Sequence, residues 1–209
     1  ALDDGDTFES SNDSDYKVKE DVSAGYLLAR WDSAKVRVIG GVRMERTHND
    51  IHGQVLDLDA GTVTPIRVTR SYTDWLPTVT LSYDVTDNIR VRAAFAKTMI
   101  PLDLGNYGGG LKINTADSQG PNPTNPTAAP LGVRQVTSAN ASGNPYLNPW
   151  RSNNYDLSLE YYLGRASMLN IGLFKLNIDS FVTTATMMTG RYPDADGVIR
   201  RTVPVTQPV

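Results

Sequence analysis

The sequence has no cysteine in 209 residues. Disulfide staples, thiolate nucleophiles and zinc–thiolate centres are therefore excluded. It also lacks any apolar run near the ~18 residues of a membrane-spanning helix. That absence leaves a transmembrane barrel open, because barrel strands are short and apolar only at every second position. There is no positive excess either: 20 Lys and Arg stand against 23 Asp and Glu, a formal net charge of −3. A chain balanced in this way carries no electrostatic footprint for nucleic acid. What is plentiful is turn chemistry, with 17 Gly and 12 Pro.

Charge is unevenly spread. Residues 1–21 hold eight acids and two lysines, a net of −6, and the remainder carries +3. Carboxylates of this density can attract calcium, yet they lack the regular spacing of a calcium loop. Residues 1–16 therefore read as an acidic, solvated loop outside the membrane. Neither end reads as a native terminus: the chain opens ALDDGDTFES, with no initiator Met and no signal-like apolar core.

The strongest signal is alternation with period two. From Val36 one side reads Val36, Val38, Gly40, Val42, Met44, and the other Arg37, Ile39, Gly41, Arg43, Glu45. Val91, Ala93 and Phe95 alternate with Arg90, Arg92 and Ala94, and Leu157 and Leu159 with Asp156, Ser158 and Glu160. Residues 74–83 follow suit except that Leu76 breaks the polar side, residues 168–181 alternate less cleanly, and Val22, Ala24, Tyr26 and Leu28 form a further apolar row. The pattern predicts six strands at about 17–31, 34–46, 67–83, 89–98, 152–163 and 167–182. Tight turns join them at 32–33, 84–88 and 164–166. Long loops join them at 47–66, 99–151 and 183–200. Structureless connections above about 15 residues are uncommon in soluble domains. Short turns at one edge and long loops at the other are the layout of an outer-membrane barrel. Trp31, Tyr83, Trp150, Tyr161 and Tyr162 near strand ends suit an interfacial aromatic girdle.

Chemical constellations are few. His48 and His52 in HNDIH could grip a metal only from a helix, and no helix is expected there. No Gly-x-Ser-x-Gly elbow is present. Asp194 and Asp196 read as turn residues. Gly108-Gly109-Gly110 is followed by no helical pattern, so it reads as a flexible loop and no phosphate cradle. No catalytic residue, metal site or cofactor is expected, and the chain is not expected to be an enzyme.

Two stretches carry a resemblance. YTDWLPTVTLSYDVTDNIRVRAAFAKTM, residues 72–99, resembles the late-barrel hairpin of TonB-dependent outer-membrane receptors. GNPYLNPWRSNNYDLSLEYYLG, residues 143–164, resembles their Gly-Asn-Pro-x-Leu-x-Pro segment and the strand after it. LNIGLFKLNIDSFV, residues 169–182, is similar to the next strand. The sequence departs from the family at Ile100-Pro101, where Arg-Pro is frequent, and at Lys175-Leu176-Asn177, where Tyr-Lys-Asp is common.

The resemblance implies an all-β, antiparallel, up-and-down transmembrane barrel in a bacterial outer membrane. This chain, residues 17–209 above all, would supply six or seven strands of a roughly 22-stranded wall. It further implies active transport of a nutrient, an oligosaccharide or a metal chelate. The implied partners are membrane lipid, the TonB complex acting through a plug region absent from this sequence, the nutrient itself and a surface lipoprotein. Within the 99–151 loop, Asn106, Tyr107, Asn144, Tyr146 and Trp150 are the residues suited to a polar ring substrate, by aromatic stacking and amide hydrogen bonds. The alternative is a soluble β-sandwich or small barrel that binds a ligand or carbohydrate, with its apolar faces packed against each other.

Overall fold

A computed structural model describes residues 15–57, 61–164 and 167–209. Most of the acidic start lies outside the described residues. The remainder forms ten strands and one 3₁₀ turn: β1 (Lys17–Asp32), β2 (Val36–Asp57), β3 (Thr62–Thr86), β4 (Ile89–Ile100), the turn Leu104–Asn106, β5 (Leu111–Asp117), β6 (Arg134–Ala141), β7 (Trp150–Tyr162), β8 (Met168–Ile178), β9 (Thr184–Gly190) and β10 (Val203–Pro208). All belong to one sheet.

Six strands make a curved wall in the order β8-β7-β4-β3-β2-β1, every neighbour antiparallel. They match the six strands that alternation predicts. Tight turns close one end: Ser33 N–H donates to the Val36 carbonyl at 2.8 Å, and Tyr162 N–H donates to the Asn88 carbonyl at 2.8 Å. Leu163 N–H reaches the Ser167 carbonyl at 2.9 Å across the third turn, whose residues 165 and 166 lie outside the described set.

The other end differs from expectation. Residues 47–57 and 62–66 are strand, paired in unbroken register as far as Asp57 opposite Thr62. The alternation persists there but its chemistry changes, which hid it. On the outward side Arg46, His48, Asp50 and His52 replace apolar residues, and on the inward side Thr47, Asn49 and Gly53 are buried by protein. The 99–151 stretch is likewise structured. It holds the β5–β6 hairpin, which joins β2 in parallel at Val55–Asp57 opposite Leu111–Ile113. Residues 183–200 contain β9, which pairs β10, and β10 runs parallel to β6. These strands are short and flanked by Gly and Pro, so they leave little periodic signal.

Register settles the faces of the wall, because directly opposed residues point the same way. Val36, Val38, Gly40, Val42 and Met44 stand opposite Tyr83, Leu81, Val79, Pro77 and Trp75. Tyr83, Leu81 and Val79 oppose Val91, Ala93 and Phe95, which in turn oppose Leu159, Leu157 and Tyr155. Ile171 and Leu173 continue the belt on β8. One step beyond Met44 and Trp75 the same face turns polar, with Arg46 opposite Thr73 and His48 opposite Ser71. The apolar stretch of β2 thus runs nine residues, from 36 to 44, the length a tilted barrel strand needs to cross a bilayer. The belt is uncovered: Leu81 is 39% exposed, Leu157 49% and Ile171 68%. A sandwich would bury these residues against a second sheet, and no such sheet exists among the described residues.

Register also assigns the faces of β1. Val22, Ala24, Tyr26 and Leu28 stand opposite Thr47, Glu45, Arg43 and Gly41, on the inward side. Leu27, Ala29 and Trp31 take the outward side, opposite Val42, Gly40 and Val38. β1 is apolar on both faces here, so alternation alone could not choose. The girdle also changes membership. Trp31, Tyr83 and Tyr161 share the outward face near the tight turns, and Trp75 marks its far rim. Tyr162 turns inward and donates its hydroxyl to Glu160 at 2.6 Å.

The inward face is ion-paired from the tight turns into β3, β4 and β7. Arg92 Nε donates to Glu160 at 2.6 Å and its Nη1 to Ser82 Oγ at 3.3 Å. Arg90 pairs with Asp84, and Asp32 accepts from both Arg30 and Arg37. Arg37, Arg90, Arg92, Asp156 and Glu160 thus share the inward side.

Candidate substrate-binding surface

The segment between β4 and β7 lies against the inward face of the wall, beyond the apolar belt. Leu102, Tyr107 and Leu147 pack on Ile51 of β2, with Val18 and Val182 at the margin. A second cluster, Ile113, Val136 and Val203, joins the β5–β6 hairpin to β10, with Val55 and Tyr192 packed against it. Burial of these side chains at about 25 cal/mol per Å² is what holds the polar, Gly- and Pro-rich segment in place.

Glycine makes the clasp possible. A Cβ on Gly143 would lie 1.6 Å from the Gly108 carbonyl oxygen, and one on Gly108 would lie 2.0 Å from the Tyr16 ring. The Gly108–Gly110 triplet is therefore a close-packing device, which corrects its reading as a flexible loop. Beside it, Asn144 N–H donates to the Asn106 carbonyl at 2.8 Å, so the two ends of the segment meet.

Arg70 fixes the same place to the wall. Its Nη1 donates to the Leu147 carbonyl at 2.6 Å and its Nη2 to Asn148 Oδ1 at 2.5 Å. Beneath lies a buried polar layer. Asn49 is 1% exposed, Thr47 2% and Tyr107 2%. Burial, with the neighbouring Tyr72 adding to it, pushes the Tyr107 phenol well above its ordinary range.

The five residues suited to a ring substrate are partly gathered here. Asn106 and Asn144 meet through the backbone. The Asn144 side chain is used internally: Nδ2 donates to the Pro208 carbonyl at 2.8 Å, and Oδ1 accepts from Tyr146 N–H at 2.9 Å. Tyr107 is packed under the segment, away from solvent. Tyr146 is 68% exposed. Trp150 stacks on Phe181, with ring centroids 5.9 Å apart and planes within 7°. Tyr146, Asn148, Phe181, Met187 and Gln207 line a cleft of about 260 Å³ next to this stack. Phe181, Met187 and Gln207 were not legible as site residues. Phe181 stood in a quoted motif, but its partner Trp150 lies 31 positions away and only the fold joins them.

Other candidates resolve into structure. His48 and His52 lie on one face of β2, roughly 13 Å apart at about 3.3 Å per residue. His48 Nδ1 meets Ser71 Oγ at 2.8 Å, and His52 Nε2 lies 3.3 Å from Asp50. Arg67 grips Asp50 with two bonds of 2.7 Å, which lowers the Asp50 carboxyl to about 2, His52 assisting. No group of three metal-ligating side chains occurs among the described residues. Asp194 is more than a turn residue. It is buried, accepts the Val136 N–H at 2.8 Å and pairs with Arg200 at 3.1 Å, so it ties the 191–202 stretch to β6.

The model of the family described as TonB dependent receptor-like, beta-barrel matches residues 1–206. The chain belongs to this family. Its barrel section is an outer-membrane wall. Among solved structures, it is similar to a double mutant of the hemophore receptor HasR from Serratia marcescens in complex with its hemophore HasA and heme. Identity is 14%, the TM-score is 0.53, and the likeness covers 91% of this chain and 29% of that one. The siderophore receptor PirA from Pseudomonas aeruginosa matches at 10% identity and a TM-score of 0.42, over 94% of this chain and 38% of that one. The chain thus spans about a third of the length of these receptors. No functionally curated protein shows significant similarity to the sequence.

Proposed function

We propose that the protein takes part in TonB-dependent uptake of a nutrient across the outer membrane. This chain would contribute six wall strands and the structured segments at their far ends. The observation that carries the reading is the nine-residue apolar belt, uncovered outside and backed by a polar, ion-paired inner face. That combination suits a strand with lipid on one side and a wet lumen on the other. In this reading the turns 32–33, 84–88 and 164–166 face the periplasm, and the segments 47–66, 99–151 and 183–200, with the acidic residues 1–16, face outside.

Transport by such a wall needs an energised partner, so the TonB complex is the expected one, reached through a plug region. Substrate would first meet the outer segments, which carry Asn106, Tyr107, Asn144, Tyr146 and Trp150. HasR is described with a hemophore and heme and PirA as a siderophore receptor, so a metal chelate is one candidate cargo. An oligosaccharide is the other, favoured by the exposed aromatic side chains. A surface lipoprotein that covers the outer segments belongs to the same proposal. The test is uptake by cells that carry the full-length protein. Loss of uptake on removing TonB is the expected result; uptake that persists without TonB would overturn the reading.

A further inference from the structure

We infer that the outward face of β1, β2 and β3 just beyond the apolar belt binds the phosphate groups of an outer-leaflet glycolipid. The inference goes beyond nutrient uptake. It rests on that reading only for which end of the wall lies outside.

Register defines the surface. Past Met44 and Trp75, the outward side of β2 carries Arg46, His48, Asp50 and His52, and that of β3 carries Thr73, Ser71, Thr69 and Arg67. The matching positions of β1 are Ser23, Asp21, Lys19 and Lys17. Four cations stand against two carboxylates, a net of +2 with both histidines neutral, in a chain whose formal charge is −3. Lys17, His52 and Arg67 are directly opposed on three neighbouring strands, so they form one basic row. Further barrel strands join at β1 and β8, beside this face and not over it.

Hydrocarbon contact accounts for the belt and not for this surface. Basic groups side by side destabilise a sheet unless opposite charge answers them. Asp50 answers Arg67 through two bonds of 2.7 Å, and Asp21 answers Lys19 at 3.0 Å. Lys17 and Arg46 are exposed and meet no carboxylate among the described residues. Phosphate oxygens suit them, because they accept charge-assisted hydrogen bonds from Lys and Arg. Ser23 and Thr73 oppose Arg46 on either side and bring hydroxyl donors to the same place.

Height selects the lipid. Arg46 follows Met44 on the outward side of β2 by one step of about 6.6 Å, at about 3.3 Å per residue. That is the level at which hydrocarbon gives way to headgroups. From residue 46 to the Lys17–His52–Arg67 row is about 20 Å along the strand, or ~14 Å along the membrane normal at a tilt of about 45°. An ordinary phospholipid carries phosphate at the first level only. A glycolipid phosphorylated on both its anchor and its outer sugars reaches both levels.

The experiment uses the full-length receptor in non-ionic detergent. It is titrated with lipopolysaccharide phosphorylated on lipid A and on core sugars, with the same material after phosphatase treatment, and with phosphatidylglycerol. The expected result is saturable binding of the phosphorylated glycolipid, weakened at least about tenfold by dephosphorylation. Arg46→Ser and Lys17→Ser should each weaken it by about tenfold, the order expected for one charge-assisted hydrogen bond. Arg46→Lys should keep most of the affinity. Lys35→Ser, beside the tight turn at the opposite end of the wall, should leave it unchanged. Equal binding of the dephosphorylated material overturns the inference, and so does binding that neither serine variant weakens. Phosphatidylglycerol bound as tightly as the glycolipid overturns the choice of lipid. His52→Cys, treated on intact cells with a membrane-impermeant thiol reagent, checks the orientation apart from the lipid. Labelling only in opened cells would overturn the outer-leaflet assignment. TonB-dependent uptake is scored separately: uptake without phosphate-dependent lipid binding sinks this inference and keeps the transport reading, and lipid binding without uptake does the reverse.

Discussion

At the residue scale, two buried or gripped carboxylates make sharp predictions. Asp194 has no water to fall back on: it is 5% exposed and serves Val136 N–H and Arg200 together. Asp194→Ala strips both partners at once and should cost the outer sheet about 3 kcal/mol, in line with breaking a buried pair. Hydrogen exchange should then show residues 191–202 and β6 opening together, while the wall strands stay protected. Asp50 is the contrasting case, half-buried and held by Arg67. Its folded pKa of about 2 lies below the ordinary aspartate value near 4. Its contribution is therefore complete above pH ~4 and is lost as pH falls through about 2. Carboxyl NMR of the full-length protein should find Asp50 still ionised at pH 3, and Arg67→Ala should return its titration to near pH 4. At this scale the sequence was informative about residue type and silent about pairing. It placed Asp194 in a turn, and only the fold brought β6 to it. It singled out Tyr107 as a residue that could meet substrate, and burial under Leu147 and Leu102 was not visible in local pattern.

At the element scale, alternation located the six wall strands because their two faces meet different surroundings. The signal faded where both faces became polar, as in β2 beyond Met44, and where a strand was too short to repeat, as in β9. β1 stayed ambiguous because Tyr26, Leu27, Leu28 and Ala29 are apolar in succession. Register resolves such cases, and it yields a paired test. Leu81 and Thr80 are neighbours in β3, one in the outward apolar belt and one on the inward row. Leu81→Arg should cost about 2–4 kcal/mol in folding into lipid vesicles, the penalty of a cation near the bilayer midplane. Thr80→Arg should cost under about 1 kcal/mol. Equal costs at the two positions would mean that the faces do not differ. The clasp between Gly108 and Gly143 is testable in the same manner. Gly143→Ala places a methyl group against a backbone oxygen that cannot yield cheaply. It should loosen the segment by about 2 kcal/mol, read as faster protease cleavage between residues 101 and 149 with the wall intact.

At the scale of the whole molecule, the six-strand wall has two open sides, β1 and β8, with inward-facing Tyr26 and Leu28 on one and Phe174 and Leu176 on the other. Open strand edges cannot persist in lipid, where no water satisfies their N–H and C=O groups. The wall therefore requires further strands, in keeping with receptors about three times its length. Barrel architecture was legible from the sequence because the bilayer imposes period and length together. Cargo was not, because it is chosen by side chains on segments whose positions depend on long-range packing. The most direct test of the account follows the outward face itself. Spin labels placed singly at residues 75 to 83 of the full-length protein, in native outer membrane, report contact with lipid-soluble oxygen and with a water-soluble relaxer. The account predicts period-two alternation: oxygen contact at 75, 77, 79, 81 and 83, and water contact at 76, 78, 80 and 82. Uniform water contact along the strand, or alternation of the opposite phase, would contradict it.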